Sequence, residues 1–233
     1  MKIALVGYGK MGKIIDEIAT SRGHQICARL KQSPTKETLN SADVVIEFSQ
    51  PEVAFENIKT ALELGIPVVS GTTGWLEKKT EAEKLALDNN SAFLYGSNFS
   101  LGVNLFFALN EKLAQLMSGV DSYKVQLEEI HHTEKKDAPS GTAISLAEGI
   151  IKNHPLYESW KLEQTKGGEL GIFALRENEV PGTHSVRYQS DVDEIEIKHT
   201  AYSRSGFALG AVVAAEWIQN KKGVFSMKDV LSL

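Results

Sequence analysis

The residues with the most chemistry to offer are Glu129-Ile130-His131-His132-Thr133-Glu134-Lys135-Lys136-Asp137-Ala138-Pro139-Ser140-Gly141-Thr142-Ala143. A strand-like run delivers two adjacent histidines and a lysine into a loop, and the loop closes on a turn of small residues that opens a helix. Ser140, Gly141 and Thr142 at such a helix start supply backbone amides and hydroxyls, a ready site for an anion. Lys135 adds positive charge, and a histidine can supply a proton near neutral pH. A proton donor beside a prepared anion site suits a small carboxylate substrate. The bland readings are a packed or surface histidine pair and a solvated lysine turn. His131, His132, His184 and His199 share no local ligand spacing, so no metal is expected.

A second motif lies at the other end of the chemistry. Gly7-Tyr8-Gly9-Lys10-Met11-Gly12 is a G-x-G-x-x-G that follows an apolar run and opens a helical pattern. Its glycines allow a tight turn, close backbone approach to a pyrophosphate and close packing of helix on strand. A plain glycine turn is the competing reading, and the strand-helix context weighs against it. An acidic residue usually follows ~20 positions later to hold the adenosine ribose. Here residues 25–30 run instead into Lys31, with Arg29 also basic. A cation there favours a 2′-phosphate, so NADPH is expected in preference to NADH, with Lys31 and Lys10 as phosphate contacts. Gly71-Thr72-Thr73-Gly74 and Gly96-Ser97-Asn98-Phe99 follow two further strand-like runs, where α/β sheets bind ligands, and are expected to touch the cofactor. These residues alone point to an NAD(P)-dependent oxidoreductase acting on a small acid.

The elements that must position them follow from the hydrophobic pattern. Residues 3–6, 25–30, 43–48, 67–70 and 92–95 read as strands, and 11–22, 53–64 and 76–89 carry helical spacing. That alternation predicts a doubly wound parallel sheet. Residues 103–117 and 142–152 read as helices. Residues 123–130 alternate as a half-solvated strand, with Tyr123, Val125 and Leu127 on one face. Strand-like runs at 172–176, 184–189 and 194–200 lack intervening helices, which predicts an α+β domain with an antiparallel or mixed sheet. A last helix, 208–219, is expected to return to the first domain. The division is therefore a dinucleotide-binding domain of residues 1–102 plus 207–233 and an inserted substrate and oligomerisation domain of 103–206.

Composition narrows the class. The chain has 233 residues, 42% hydrophobic and 24% charged, with a net charge of −5, which argues against disorder and against nucleic-acid binding. The single cysteine, Cys27, fits a reducing compartment, so a cytoplasmic protein is expected. The N-terminal apolar stretch is too short for a signal peptide, and no stretch reaches the ~20 residues of a membrane span.

The run His131-His132-x-x-Lys135-x-Asp137-Ala138-Pro139-Ser140-Gly141-Thr142-Ala143 resembles the signature of the bacterial dihydrodipicolinate reductases, also called 4-hydroxy-tetrahydrodipicolinate reductases. The likeness extends through residues 7–12, Phe48-Ser49, residues 71–74, Asn98-Phe99-Ser100, Gly102-Val103-Asn104, and Arg176 through Gly182-x-His184. It implies a Rossmann-type domain and an NAD(P)H-dependent reduction in lysine and diaminopimelate biosynthesis, with hydride delivered to ring C4 of a cyclic imine dicarboxylate. By the same resemblance His131 is the catalytic acid/base and Lys135 a second proton donor facing the substrate. His132 is a substrate contact, Gly141 and Thr142 bind a carboxylate, and residues 7–12, 71–73 and 96–99 hold the cofactor. A homotetramer built through the second domain's sheet is implied as well.

Three departures stand out. Lys31 replaces a common acidic residue, Gln50 stands where some members have arginine and receives no cofactor role, and Asn178 takes a glycine's place at a turn, where Asn tolerates a left-handed backbone. The alternatives are another two-domain amino-acid or sugar dehydrogenase, which has no need of residues 131–142 as spaced, and a non-catalytic nucleotide sensor, for which a basic helix is missing.

Overall fold

The computed structural model describes residues 1–163, 166–203 and 205–233. The elements, in chain order, are β1 (Lys2–Val6), α1 (Lys10–Ser21), β2 (Gln25–Leu30), α2 (Lys36–Leu39), β3 (Val44–Glu47), α3 (Pro51–Glu63), β4 (Val68–Ser70), α4 (Lys79–Asp88), β5 (Ala92–Tyr95), α5 (Leu101–Met117), β6 (Lys124–His131), α6 (Gly141–Asn153), β7 (Ser159–Leu162), β8 (Glu169–Arg176), β9 (Gly182–Gln189), β10 (Glu194–Ala201), α7 (Ser205–Ile218), β11 (Gly223–Phe225) and α8 (Met227–Leu231). They form two compact units, Met1–Leu101 with Ser205–Leu233, and Gly102–Arg204.

The first unit holds a six-stranded sheet in the order β11-β5-β4-β3-β1-β2, with every pairing parallel. β3 is buried at all four of its positions, as a strand covered on both faces must be. One face packs under α1 and α7, through Ile15, Ala19, Ala208, Val212 and Ala215. The other packs under α3 and α4, through Ala54, Ile58, Ala61, Leu62, Ala82 and Ala86. α3 starts on Pro51, whose fixed φ and missing N–H suit a first helical position. The strand order reverses between β1 and β3, and a crevice at that point, beyond the carboxyl ends of the strands, is where such sheets bind ligands.

The second unit holds a five-stranded mixed sheet in the order β10-β9-β6-β8-β7. β6 pairs antiparallel with β9 and parallel with β8, so β8 lies beside β6 and not beside β9, its successor in the chain. α5 and α6 cover one face around Phe106, Leu127, Leu146, Ile150, Ile172 and Tyr188. On the other face Arg187 of β9 lies 3.0 Å from Glu196 and 3.6 Å from Glu128.

The short elements α2, β7, β11 and α8 escape the sequence pattern, since three to five residues carry too little periodicity. The turn expectation at Asn178 needs correction. The left-handed residue between β8 and β9 is Glu179, with φ 62°, and Asn178 is not in that conformation. Among the described residues no helix is long and apolar enough to cross a membrane.

Candidate active site

The crevice at the strand reversal is a cavity of about 860 Å³ lined by Gly7, Tyr8, Gly9, Lys10, Lys13, Lys31, Phe48, Ser49, Gln50, Glu52 and Val53. A second cavity of about 350 Å³ adjoins it through Gly9, Lys10, Phe48 and Ser49 and adds Met11, Pro51, Gly71, Thr72 and Thr73. The turn geometry explains the first glycine. Gly7 has φ +93°, and a Cβ there would fall 2.0 Å from the Phe48 carbonyl oxygen, so only glycine fits between β1 and the residues after β3.

Two polar networks brace this end. The Tyr8 hydroxyl donates to Asp16 at 2.6 Å, and Arg29 grips the same carboxylate at 2.6 and 2.9 Å. The Arg29 guanidinium holds Asp16 below the usual carboxylate range, burial opposing. Arg29 is thus committed to α1, which leaves Lys10, Lys13 and Lys31 as the cations in the cavity wall. Deeper, Glu47 at the end of β3 has no exposed surface. Its carboxylate accepts from the Ser49 amide at 2.9 Å, the Ser70 hydroxyl at 2.7 Å, the Thr72 hydroxyl at 2.8 Å and the Ser49 hydroxyl. One carboxylate therefore ties the residues after β3 to those after β4.

A Rossmann-type cofactor fits these residues. The cavity lies at the strand reversal, and its lysines offer charge for phosphates. Residues 96–99 follow β5, where Phe99 is buried against Phe48 at 5.6 Å between ring centroids; they are not in the walls of these two cavities. Lys13, Glu52 and Val53 join the wall without having been expected from sequence, and so does Gln50. Lys13 lies three residues beyond Lys10 on one helical face, a spacing that was available to read.

In the second unit the inward face of β6 changes character along the strand. Val125 and Leu127 are apolar core, and the next inward positions are Glu129 and His131. Glu129 has no exposed surface. Both its oxygens accept the Ser140 amide, at 3.2 and 3.1 Å, and they lie 3.5 Å from His131 Nδ1, 3.6 Å from His184 Nε2 and 3.5 Å from Arg176 Nη1. Burial opposes ionisation of Glu129, but His184, the Ser140 donors and His131 outweigh it and hold the carboxyl at about 2. The His131 and His184 rings meet edge-on at 5.0 Å. Burial drives His131 down to about 4, with Glu129 pulling it up and His184, Lys135 and Arg176 pushing it further down. His131 is thus neutral at pH 7 without ligand.

The loop between β6 and α6 is held from two sides. Lys135 Nζ lies 2.6 Å from Asp137, so its charge is paired within the loop. Arg176, at the end of β8, donates to the carbonyls of Asp137 at 2.7 Å and Lys135 at 3.3 Å. Ser140 caps α6, its hydroxyl accepting from the Ala143 amide at 3.2 Å and lying 3.1 Å from His184 Nε2. Gly141 and Thr142 begin the helix, and His132 is half-buried beside His131. The fold thus gathers His131, Lys135 and residues 140–142 as expected, and adds Glu129, His184 and Arg176. His199 stacks on Phe106, 6.1 Å between centroids, outside the cluster. Among the described residues Glu129, His131 and His184 form the one group with metal-ligand spacing.

Comparison with known proteins gives a consistent result. Residues 1–99 match the family model for dihydrodipicolinate reductase, N-terminus, and residues 102–231 that for its C-terminus. A 4-hydroxy-tetrahydrodipicolinate reductase of Christiangramia forsetii is 53% identical over 234 residues, covering 100% of this chain and 98% of the relative. One of Methanocaldococcus jannaschii is 36% identical over 237 residues, covering 98% and 81%. Among solved structures, a dipicolinate-bound dihydrodipicolinate reductase of Paenisporosarcina sp. TG-14 shares the fold, with a TM-score of 0.78, 21% identity and 97% of both chains covered.

Proposed function

The chain belongs to the dihydrodipicolinate reductase family and is an NAD(P)-dependent oxidoreductase of lysine biosynthesis, and on that footing we propose how its residues divide the reaction. The substrate is 4-hydroxy-tetrahydrodipicolinate, which loses its C4 hydroxyl as water to give a conjugated cyclic imine dicarboxylate, and reduction of that imine by one hydride and one proton gives tetrahydrodipicolinate. When bound, the reduced nicotinamide supplies the hydride that reaches ring C4.

His131 gives the proton that balances that hydride, with Lys135 as second donor. Gly141 and Thr142, at the start of α6, take one substrate carboxylate, His132 contacts the substrate, and Lys135 neutralises negative charge once the substrate displaces it from Asp137. A placed acid is worth about 10²–10⁴-fold in rate. The observation that carries this reading is that Glu129 draws His131 and the Ser140 amide onto one buried carboxylate, which makes the proton donor and the carboxylate-binding helix start a single constellation.

In the first unit Gly7, Tyr8, Gly9, Lys10, Met11 and Gly12 hold the pyrophosphate, with residues 71–73 and 96–99 toward the nicotinamide. Lys31, with Lys10 beside it in the same wall, favours NADPH. A homotetramer would use the open face of the second unit's sheet, and light scattering of the purified chain tests it. A cytoplasmic location fits the pathway.

The deciding assay follows loss of NADPH absorbance as a synthase makes the cyclic substrate from pyruvate and aspartate semialdehyde. No loss above background sinks the reading. Lys31→Glu is expected to lower the ratio of kcat/KM for NADPH over NADH by about tenfold, the value of one charge-assisted contact. An unchanged ratio removes Lys31 from the phosphate site.

A further inference from the structure

We infer that Glu129 is a positioning residue of this site: its buried carboxylate locks His131, His184 and the amide of Ser140, the cap of α6, into one arrangement and fixes which nitrogen of His131 is left to exchange the proton. The inference rests on His131 being the proton donor and assigns the group that holds it.

Four elements converge on this one carboxylate. β6 supplies Glu129 and His131, β9 supplies His184, β8 supplies Arg176, and the start of α6 supplies the Ser140 amide. His131 Nδ1 is buried and meets no hydrogen-bond partner, and a Glu129 carboxylate oxygen lies 3.5 Å from it. That separation exceeds a formed hydrogen bond, and such contacts commonly tighten only in the substrate complex. On the far side of the ring Gly182 leaves room, since a Cβ there would come within 3.1 Å of His131 Nε2. A carboxylate on the Nδ1 side keeps the neutral ring's proton there and leaves Nε2 as the atom that takes and gives a proton. When the ring becomes charged, the same carboxylate stabilises it.

The electrostatic surroundings of His131 are Glu129 on its own strand, His184 across β9, Arg176 on β8 and Lys135 in the loop. Glu129 is the single anion among them. It opposes burial and the three groups that disfavour a charged imidazole.

The same three side chains have metal-ligand spacing. Both Glu129 oxygens, however, already accept the Ser140 N–H, and the Arg176 guanidinium lies 3.5 Å away, an arrangement hostile to a second cation. A zinc ion is therefore an outcome that the test must separate.

Glu129→Gln, Glu129→Asp and His131→Gln are assayed beside the wild-type chain, with kcat, both KM values and the pH profile of kcat. For Glu129→Gln, kcat is expected to fall about tenfold or more, with KM for NADPH held within about twofold and the alkaline limb, where His131 loses its proton, moved to lower pH, since loss of the anion lowers the His131 pKa. Glu129→Asp is expected to recover part of the rate. A Glu129→Gln enzyme within about twofold of the wild type, with an unmoved pH profile, overturns the inference. His131→Gln separates the two levels. If it too keeps full activity, the reading of His131 itself fails; if it is inactive while Glu129→Gln is active, only the role of Glu129 fails. Long-range ¹H–¹⁵N correlation of histidine-labelled wild-type protein tests the idea without any variant. The neutral His131 proton is expected on Nδ1, and a proton on Nε2 overturns the assignment. Stoichiometric zinc carried through purification by the wild type and lost in Glu129→Gln would also overturn it, by making Glu129 a ligand.

Discussion

Glu47 and Glu129 are both buried without exposed surface, yet their neighbours push them in opposite directions. Glu129 is faced by a guanidinium, two imidazoles and a helix-start amide and stays ionised. Glu47 is faced by hydroxyls and one amide, so burial wins and its pKa rises. A charge in the second unit and a network of neutral donors in the first are two solutions to the cost of burying a carboxyl. Glu47→Ala strands the hydroxyl donors of Ser49, Ser70 and Thr72, each worth about 1–3 kcal/mol when buried and unmatched, while the Ser49 amide keeps Thr72 Oγ1 at 2.8 Å. Because Ser49 and Thr72 line the cavities, KM for NADPH should rise several-fold beside the stability loss seen in urea. Stability lost with KM unmoved would make Glu47 structural only. The low pKa of His131 has its own consequence. The free protein reaches the acidic form only near pH 4, whereas a dianionic substrate stabilises imidazolium. The pKa above which kcat declines should therefore exceed that for kcat/KM by a unit or more, about 1.4 kcal/mol of interaction with substrate. Equal values in the two profiles would mean that the substrate's charge does not reach His131.

At the scale of elements, the strands that were easy to read are those whose burial is symmetrical. β1, β3, β4 and β5 lie between helices, so they appear as short apolar runs between turns. β6 was legible in its first half for the opposite reason, a clean alternation. That alternation continues inward through Glu129 and His131, where the apolar stripe becomes ionisable. A glutamate at an inward strand position was the signal available for Glu129. Its partners were not legible, because His184 and Arg176 arrive from β9 and β8 by long-range pairing that no local spacing encodes. The glycine turn after β1 was readable because close approach to Phe48 demands it. The glycine-like turn assigned to Asn178 was not, since the left-handed residue there is Glu179. Arg176 makes the element-scale role testable. It pins the loop between β6 and α6 by two carbonyls, which lysine cannot grip in the same forked geometry. Arg176→Lys should raise KM for the cyclic substrate about tenfold while leaving KM for NADPH alone. A rise in KM for NADPH instead would place Arg176 in cofactor binding.

Across the whole molecule, the net charge of −5 conceals a local distribution, with Lys10, Lys13 and Lys31 in one cavity wall and Lys135 in the loop of the other unit. The histidines are distributed just as unevenly. His24 lies in the first unit, and His131, His132, His154, His184 and His199 lie in the second. Burial is the leading cause that pushes His131, His154 and His199 down, and His131 reaches about 4. His154 is the plainest case: it is 1% exposed, packed against Tyr157 and Tyr188, and neither ring nitrogen meets a hydrogen-bond partner among the described residues. Unfolded histidines titrate near 6.5, so the unfolded chain binds these protons first. The stability they contribute is fully present above about pH 6.5 and is lost as pH falls through the lowered folded values. The second unit should therefore be the acid-labile one. Each kcal/mol lost lowers the unfolding midpoint by roughly 2–4 °C in a chain of this size, so a fall between pH 7 and pH 5 is measurable by calorimetry. His154→Phe keeps the ring packing and removes the titrating nitrogens, so its midpoint should decline less steeply over that interval. Parallel curves for the variant and the wild type would show that His154 does not govern the acid response and would leave the burden on His131 and His199.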